Sequence, residues 1–124
     1  MKLRVARHTT NLDAIVRFYR DILGLEVLGS FSEHQNYNGV FLGLKGADWH
    51  LEFTTSNEPP VHQADEDDLL VFYVSPDKYE VLKNKFANNN IPKLTPKNPY
   101  WDKNGTTYAD PDGFGVVLSF LGTS

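Results

Sequence analysis

Cysteine is absent from this 124-residue chain, which excludes disulfides, thiolate metal sites and cysteine nucleophiles. Excess positive charge is missing too: 12 Lys and Arg stand against 16 Asp and Glu, a net charge of −4. That balance offers no electrostatic footprint for nucleic acid or for an anionic membrane surface. No apolar run approaches the ~20 residues that span a bilayer. Met1-Lys2-Leu3-Arg4 leads straight into a strand, without the apolar block of a secretory signal. Also missing are a Gly-rich phosphate loop, a Gly-x-Ser-x-Gly nucleophile elbow and a paired-His zinc motif. The expectation is a reduced, cytoplasmic domain with no nucleic-acid or membrane partner.

What the chain does contain is an internal duplication. Asp110-Pro111-Asp112-Gly113, followed by the apolar run Phe114 to Leu121, reads as a tight turn launching a final buried strand. Lys45-Gly46-Ala47-Asp48, followed by Trp49 to Phe53, is the same device in the first half. Upstream of each lies an Asn-Gly hairpin signal, Asn38-Gly39 and Asn104-Gly105. Further upstream, each half holds a strand followed by a helix.

The first strand is expected over Leu3 to Thr9, with Arg4, Ala6 and His8 on one face. Asn11 caps a helix whose Ile15, Phe18, Tyr19, Ile22 and Leu23 form a single apolar stripe, and Gly24 stops it. Strands follow at about Glu26 to Phe31, Val40 to Leu44 and Trp49 to Thr54. In the second half, Leu69 to Val74 is a strand, and Ser75-Pro76-Asp77 opens a helix striped by Tyr79, Leu82 and Phe86. Asn88-Asn89-Asn90 ends that helix, and a weak strand spans Lys93 to Thr95. Pro96 to Lys103 reads as loop, Thr106 to Ala109 and Phe114 to Leu121 as the last strands. The fold class is α+β: two βαβββ repeats at 1–55 and 69–122 in one domain, 1–124, joined by a polar connection at 56–68. Its acidic run, Asp65-Glu66-Asp67-Asp68, is the composition of a solvated surface.

Two βαβββ units carrying Phe18-Tyr19, Leu23-Gly24-Leu25 and Asp110-Pro111-Asp112-Gly113 resemble the vicinal oxygen chelate superfamily. It groups glyoxalase I, extradiol dioxygenases and the bleomycin and fosfomycin resistance proteins. The resemblance implies two curved four-stranded sheets around a central cavity, helices outside, and a homodimer. In metal-dependent members four cavity side chains, commonly His, Glu or Gln, bind a divalent ion and leave positions open for substrate oxygens. Carried over, the first position falls on Arg4, whose guanidinium has no lone pair to give. The second falls on Glu52, a good ligand. The third falls near Leu69 or Leu70, one residue from Asp68, and the fourth on Val117, or on Ser119 two residues along. Only Glu52 survives, so the expectation is no metal cofactor.

Strand parity nevertheless sets Arg4 and His8 on one face and His50 and Glu52 on another, and their meeting in the cavity would form a polar cluster. It could contact a ligand, serve as an acid/base pair near neutral pH, or hold a divalent metal ion in a non-standard way. A plain Arg4–Glu52 salt bridge with satisfied histidines would also account for these residues. Four inward polar side chains are costly to bury without a reason, which favours a site. Tyr100-Trp101 suits a pocket wall for a flat or apolar ligand, or equally a plug or a dimer contact. Tyr37, Tyr73 and Tyr108 are further candidates, of which the strand aromatics read rather as core, and His34 and His62 read as surface.

Two functional classes follow from the resemblance. One is a metal-free module holding a small organic molecule, as the drug-sequestering resistance proteins do; the acidic charge suits a cationic ligand. The other is a lyase, isomerase or dioxygenase acting on a small oxygenated substrate. Its site would be a non-standard divalent metal centre containing Glu52 with His50 or His8, or metal-free acid/base chemistry.

Overall fold

A computed structural model describes residues 1–120 of the chain. It divides into two compact units, the first Met1–His62 and the second from Gln63 onward. The boundary lies inside the expected polar connection.

The first unit runs β1 (Leu3–His8), α1 (Leu12–Val16), a π-helical segment (Arg17–Ile22), β2 (Glu26–His34), β3 (Tyr37–Gly43) and β4 (Trp49–Thr55). Its sheet has the order β1-β4-β3-β2, with β1 parallel to β4 and the other pairs antiparallel. The second unit runs β5 (Leu69–Tyr73), α2 (Pro76–Asn88), β6 (Lys93–Leu94), α3 (Tyr100–Asn104), β7 (Thr106–Ala109) and β8 (Gly115–Ser119). Its order, β5-β8-β7-β6, repeats the first, again with one parallel pair. The α+β class and the βαβββ duplication are therefore as the sequence indicates, and α3 is an added element. Leu121, the last residue of the expected final strand, lies outside the described residues.

The local signals act as their chemistry requires. Asn11 Oδ1 accepts from the Ala14 N–H at 3.0 Å, closing one open donor at the start of α1. Ser75 Oγ does the same for the Lys78 N–H at 3.3 Å, with Pro76 in the first helical turn. Gly24 ends the first helix at φ +96°, where a Cβ is disfavoured. The stripe Ile15, Phe18, Tyr19, Ile22 and Leu23 is buried. It packs on the face of the sheet carrying Leu51 and Phe53, with the Tyr19 and Phe53 rings 5.1 Å apart. In the second unit Phe86 stacks on Tyr108 at 4.2 Å, and all five residues of β8 are buried. Each such side chain contributes ~1.5–3 kcal/mol by leaving water.

Both Asn-Gly signals fail as turns, for different physical reasons. The β2–β3 hairpin turns instead at Gln35-Asn36, at φ 51° and 70°, which lengthens both strands beyond expectation. Gly39 lies within β3 opposite Phe31, whose ring occupies the space a Cβ would take. Gly105 is extended, and a Cβ there would lie 2.5 Å from the Leu118 carbonyl oxygen. That glycine permits close approach of β7 and β8 and turns nothing. The Asp110 turn does form as read: Asp110 Oδ1 accepts from the Asp112 and Phe114 N–H groups at 2.9 and 3.0 Å. Gly113 completes it at φ +87°, and Gly46 sits in the matching turn at +81°.

Candidate functional site

Because the helix covers the Leu51–Phe53 face, the opposite face of the first sheet carries the even-numbered residues of β1 and β4. The parallel register sets Arg4 beside His50, Ala6 beside Glu52 and His8 beside Thr54. β3 contributes Phe41, paired with Glu52.

Arg4, His50 and Glu52 come together. Arg4 Nε donates to His50 Nε2 at 2.9 Å. A guanidinium only donates, so His50 Nε2 is the acceptor and the ring hydrogen sits on Nδ1. Arg4 Nη1 lies 3.8 Å from Glu52 Oε1, an ion pair too long for a hydrogen bond. The guanidinium carbon stands 4.9 Å above the Phe41 ring, a cation–π seat. Phe41 meets His50 at 5.9 Å and Phe31 at 5.9 Å, so an aromatic row crosses this face.

His8 shares the strand face and belongs to a separate network. Its Nε2 donates to the Glu58 carbonyl at 2.9 Å and lies 3.1 Å from Ser56 Oγ, while Nδ1 meets Thr54 Oγ1 at 2.8 Å. Both ring nitrogens thus have partners, and Tyr37 stands 5.7 Å from the ring. His62 Nε2 donates to the His8 carbonyl at 2.9 Å. His62 therefore has a defined structural contact where the sequence suggested plain surface.

Tyr100 and Trp101 belong to the second unit, in α3, where their rings pack edge to face at 4.8 Å. Tyr100 is exposed and Trp101 half-buried. The same unit holds a pocket of about 180 Å³ lined in part by Leu94, Pro96, Thr107, Gly113 and Gly115. Thr107 is 5% exposed, and among the described residues its hydroxyl has no hydrogen-bond partner. Tyr108, next in the chain, also buries a hydroxyl with no partner among the described residues; burial first, and the nearby Tyr79 second, push its pKa up to about 12.

The residues at the four positions implied for a metal do not fit a divalent cation. Arg4 offers only donors, and the His50 lone pair at Nε2 is engaged by Arg4. Val117 is buried and Leu69 and Leu70 are apolar, so these positions offer no ligand atom. Among the described residues, no three His, Cys, Asp or Glu side chains group as a cation site.

Family models for the YycE-like N-terminal domain and the YycE-like C-terminal domain match residues 3–54 and 67–120. The chain belongs to the YycE-like family. Protein YycE of Bacillus subtilis (strain 168) is 43% identical over 123 residues, spanning 94% of this chain and 86% of that one. A crystal structure of a YycE protein of unknown function from Bacillus subtilis superimposes with TM-score 0.85 at 40% identity, covering 95% of this chain and 88% of the other. The trypanothione-dependent glyoxalase I of Leishmania major shares the fold at TM-score 0.77 and 23% identity, over 99% and 88% of the two chains. The YycE-like chain thus lies in the vicinal oxygen chelate superfamily.

Sequence reasoning missed Phe31, Phe41, Thr54, Ser56 and Thr107 as site residues. Phe41 was within reach: it alternates with the core residues Val40 and Leu42 along β3, and antiparallel pairing with β4 brings it onto the Glu52 face. Ser56 and Glu58 follow β4 in a segment without periodicity, so no pattern ties them to His8.

Proposed function

We propose that this YycE-like protein is a metal-free member of its superfamily that binds a small organic molecule at the open face of its first sheet. Arg4, His50 and Glu52, with Phe41, are the contact residues of this reading, while His8 shapes the adjoining Thr54–Ser56 segment. Within the second unit, Tyr100 and Trp101 are proposed as contact residues for a flat or apolar ligand.

One observation carries the reading: the Arg4 guanidinium donates to His50 Nε2 at 2.9 Å. A permanent cation therefore occupies the lone pair that a metal would need, and like charge disfavours a second cation beside it. The reading also takes the protein to act in the cytoplasm as a homodimer. Its cysteine-free composition suits a reducing compartment. Among the described residues no helix is long and apolar enough to cross a membrane.

The test is the metal content of freshly purified, untagged protein by elemental analysis, followed by calorimetric titration of the stripped protein with Ni²⁺, Mn²⁺ and Zn²⁺. No one-to-one binding at micromolar affinity or better is expected. One tightly held ion per chain, lost in Glu52→Gln, would overturn the metal-free reading and favour the alternative, a metal-dependent lyase, isomerase or dioxygenase.

A further inference from the structure

Arg4 and Glu52 are opposite charges held near each other without completing a hydrogen bond. Arg4 spends only Nε, on His50. Among the described residues, Nη1 and Nη2 reach no acceptor within hydrogen-bond distance, and the Arg4 side chain is 52% exposed. Glu52 is only 15% exposed, and among the described residues no donor reaches its carboxylate. Its oxygens keep some access to water, so a donor from solution can reach them. A bidentate pair would be the stronger arrangement, yet two contacts hold the guanidinium off: its Nε bond to His50 and its seat 4.9 Å above Phe41. The result is an oriented fork of N–H donors beside a carboxylate open to a further donor, flanked by the aromatic row Phe31, Phe41 and His50.

We propose that this face takes an aromatic 2-hydroxy or 2-amino carboxylic acid. The carboxylate of the ligand would lie on the terminal nitrogens of Arg4, the neighbouring hydroxyl or ammonium would donate to Glu52, and the ring would rest beside Phe31 and Phe41. The 3.8 Å separation of Arg4 Nη1 and Glu52 Oε1 suits two polar groups on adjacent carbons. A purely cationic ligand, the class that the net charge of −4 suggests, meets an obstacle here. Its charge would have to reach the shielded Glu52 past the half-exposed Arg4, whose repulsion acts at contact distance. The net charge of the protein acts from farther away and is screened beyond ~8–10 Å.

This inference rests on the metal-free binding reading and narrows it to a ligand class. The experiment is NMR titration of the full chain with 3-phenyllactate, 3-phenylpropanoate and phenethylammonium, following the His50 ring and the β1 and β4 amides. Saturable shifts with 3-phenyllactate are expected. Binding should weaken by about tenfold or more when the hydroxyl is removed in 3-phenylpropanoate, and likewise in Arg4→Gln, since a charge-assisted hydrogen bond is worth about that factor. Arg4→Lys, which keeps the charge and loses the fork, should fall between wild type and Arg4→Gln. Tighter binding of phenethylammonium at these residues would overturn the ligand class and leave the binding reading standing. Unchanged affinity in both folded Arg4 variants, or no saturable shift with any probe, would overturn the inference. Stoichiometric metal binding, measured separately, is what would overturn the binding reading itself.

Discussion

Replacing Tyr108 by phenylalanine should abolish a specific part of the alkaline instability of this protein. Tyr108 is 1% exposed and stacked on Phe86, and among the described residues its hydroxyl has no partner. Folding raises its pKa from 10.0 to about 12, through burial and then through Tyr79. Between those values the folded chain keeps a proton that the unfolded chain has lost. Unfolding then releases a proton, so stability falls as pH rises. The contribution is intact below pH 10, declines by about 1.4 kcal/mol at pH 11, and levels off above pH 12 near a loss of ~2.7 kcal/mol. In Tyr108→Phe that decline disappears. At pH 8 the variant should be as stable as wild type or more so by up to ~1 kcal/mol, because it no longer buries an unpaired hydroxyl. Urea unfolding of both proteins at pH 8 and pH 11 measures the difference. Identical pH dependence in the two would refute the reasoning. So would absorbance titration at 295 nm showing all six tyrosines ionising together near pH 10.

Three further outcomes are expected. Thr107→Val, which replaces the unpartnered hydroxyl lining the second-unit pocket by a methyl, should raise stability by ~1 kcal/mol, read as a thermal midpoint a few degrees higher. Gly105→Ala should cost ~1–3 kcal/mol in denaturant unfolding, since its Cβ would press on the Leu118 carbonyl and on Val117. Glu52→Gln should change small-ligand affinity far more than melting temperature, because its carboxylate makes no hydrogen bond within the described fold. Equal losses of both would defeat that last expectation.

The parts of the fold legible in the sequence were those set by local chemistry. The Asn11 and Ser75 caps, the Gly24 stop and the Asp110 turn each depend on residues a few positions apart. The Asn-Gly pairs misled because their meaning depends on distant partners: Phe31 across the hairpin for Gly39, and the Leu118 carbonyl for Gly105. Pro96 to Lys103 reads as loop in the sequence, since the five residues of α3 carry too little periodicity to declare a helix. At the candidate site, parity placed Arg4, His50 and Glu52 on one face. It could not separate His8, whose partners include Ser56 and Glu58, beyond the end of β4. Nor could parity anticipate that the guanidinium would bond to an imidazole rather than close on the carboxylate.

The parallel pairs of the two sheets have a bearing on how the chain folds. Leu3 pairs with Trp49 and Leu69 with Gly115, an interval of 46 residues in each unit (49 − 3 and 115 − 69). Closing such an interval costs roughly the same entropy in both, of order 3 kcal/mol before the additive constant, and it must be met before the parallel contacts form. The interiors differ: the first unit spends its residues on a long hairpin, the second on a two-residue strand and an extra helix. Equal spans with unequal contents give the two halves matched closure penalties. What then distinguishes the halves kinetically is the interior each must order, a long β2–β3 hairpin in the first and the 13-residue α2 in the second.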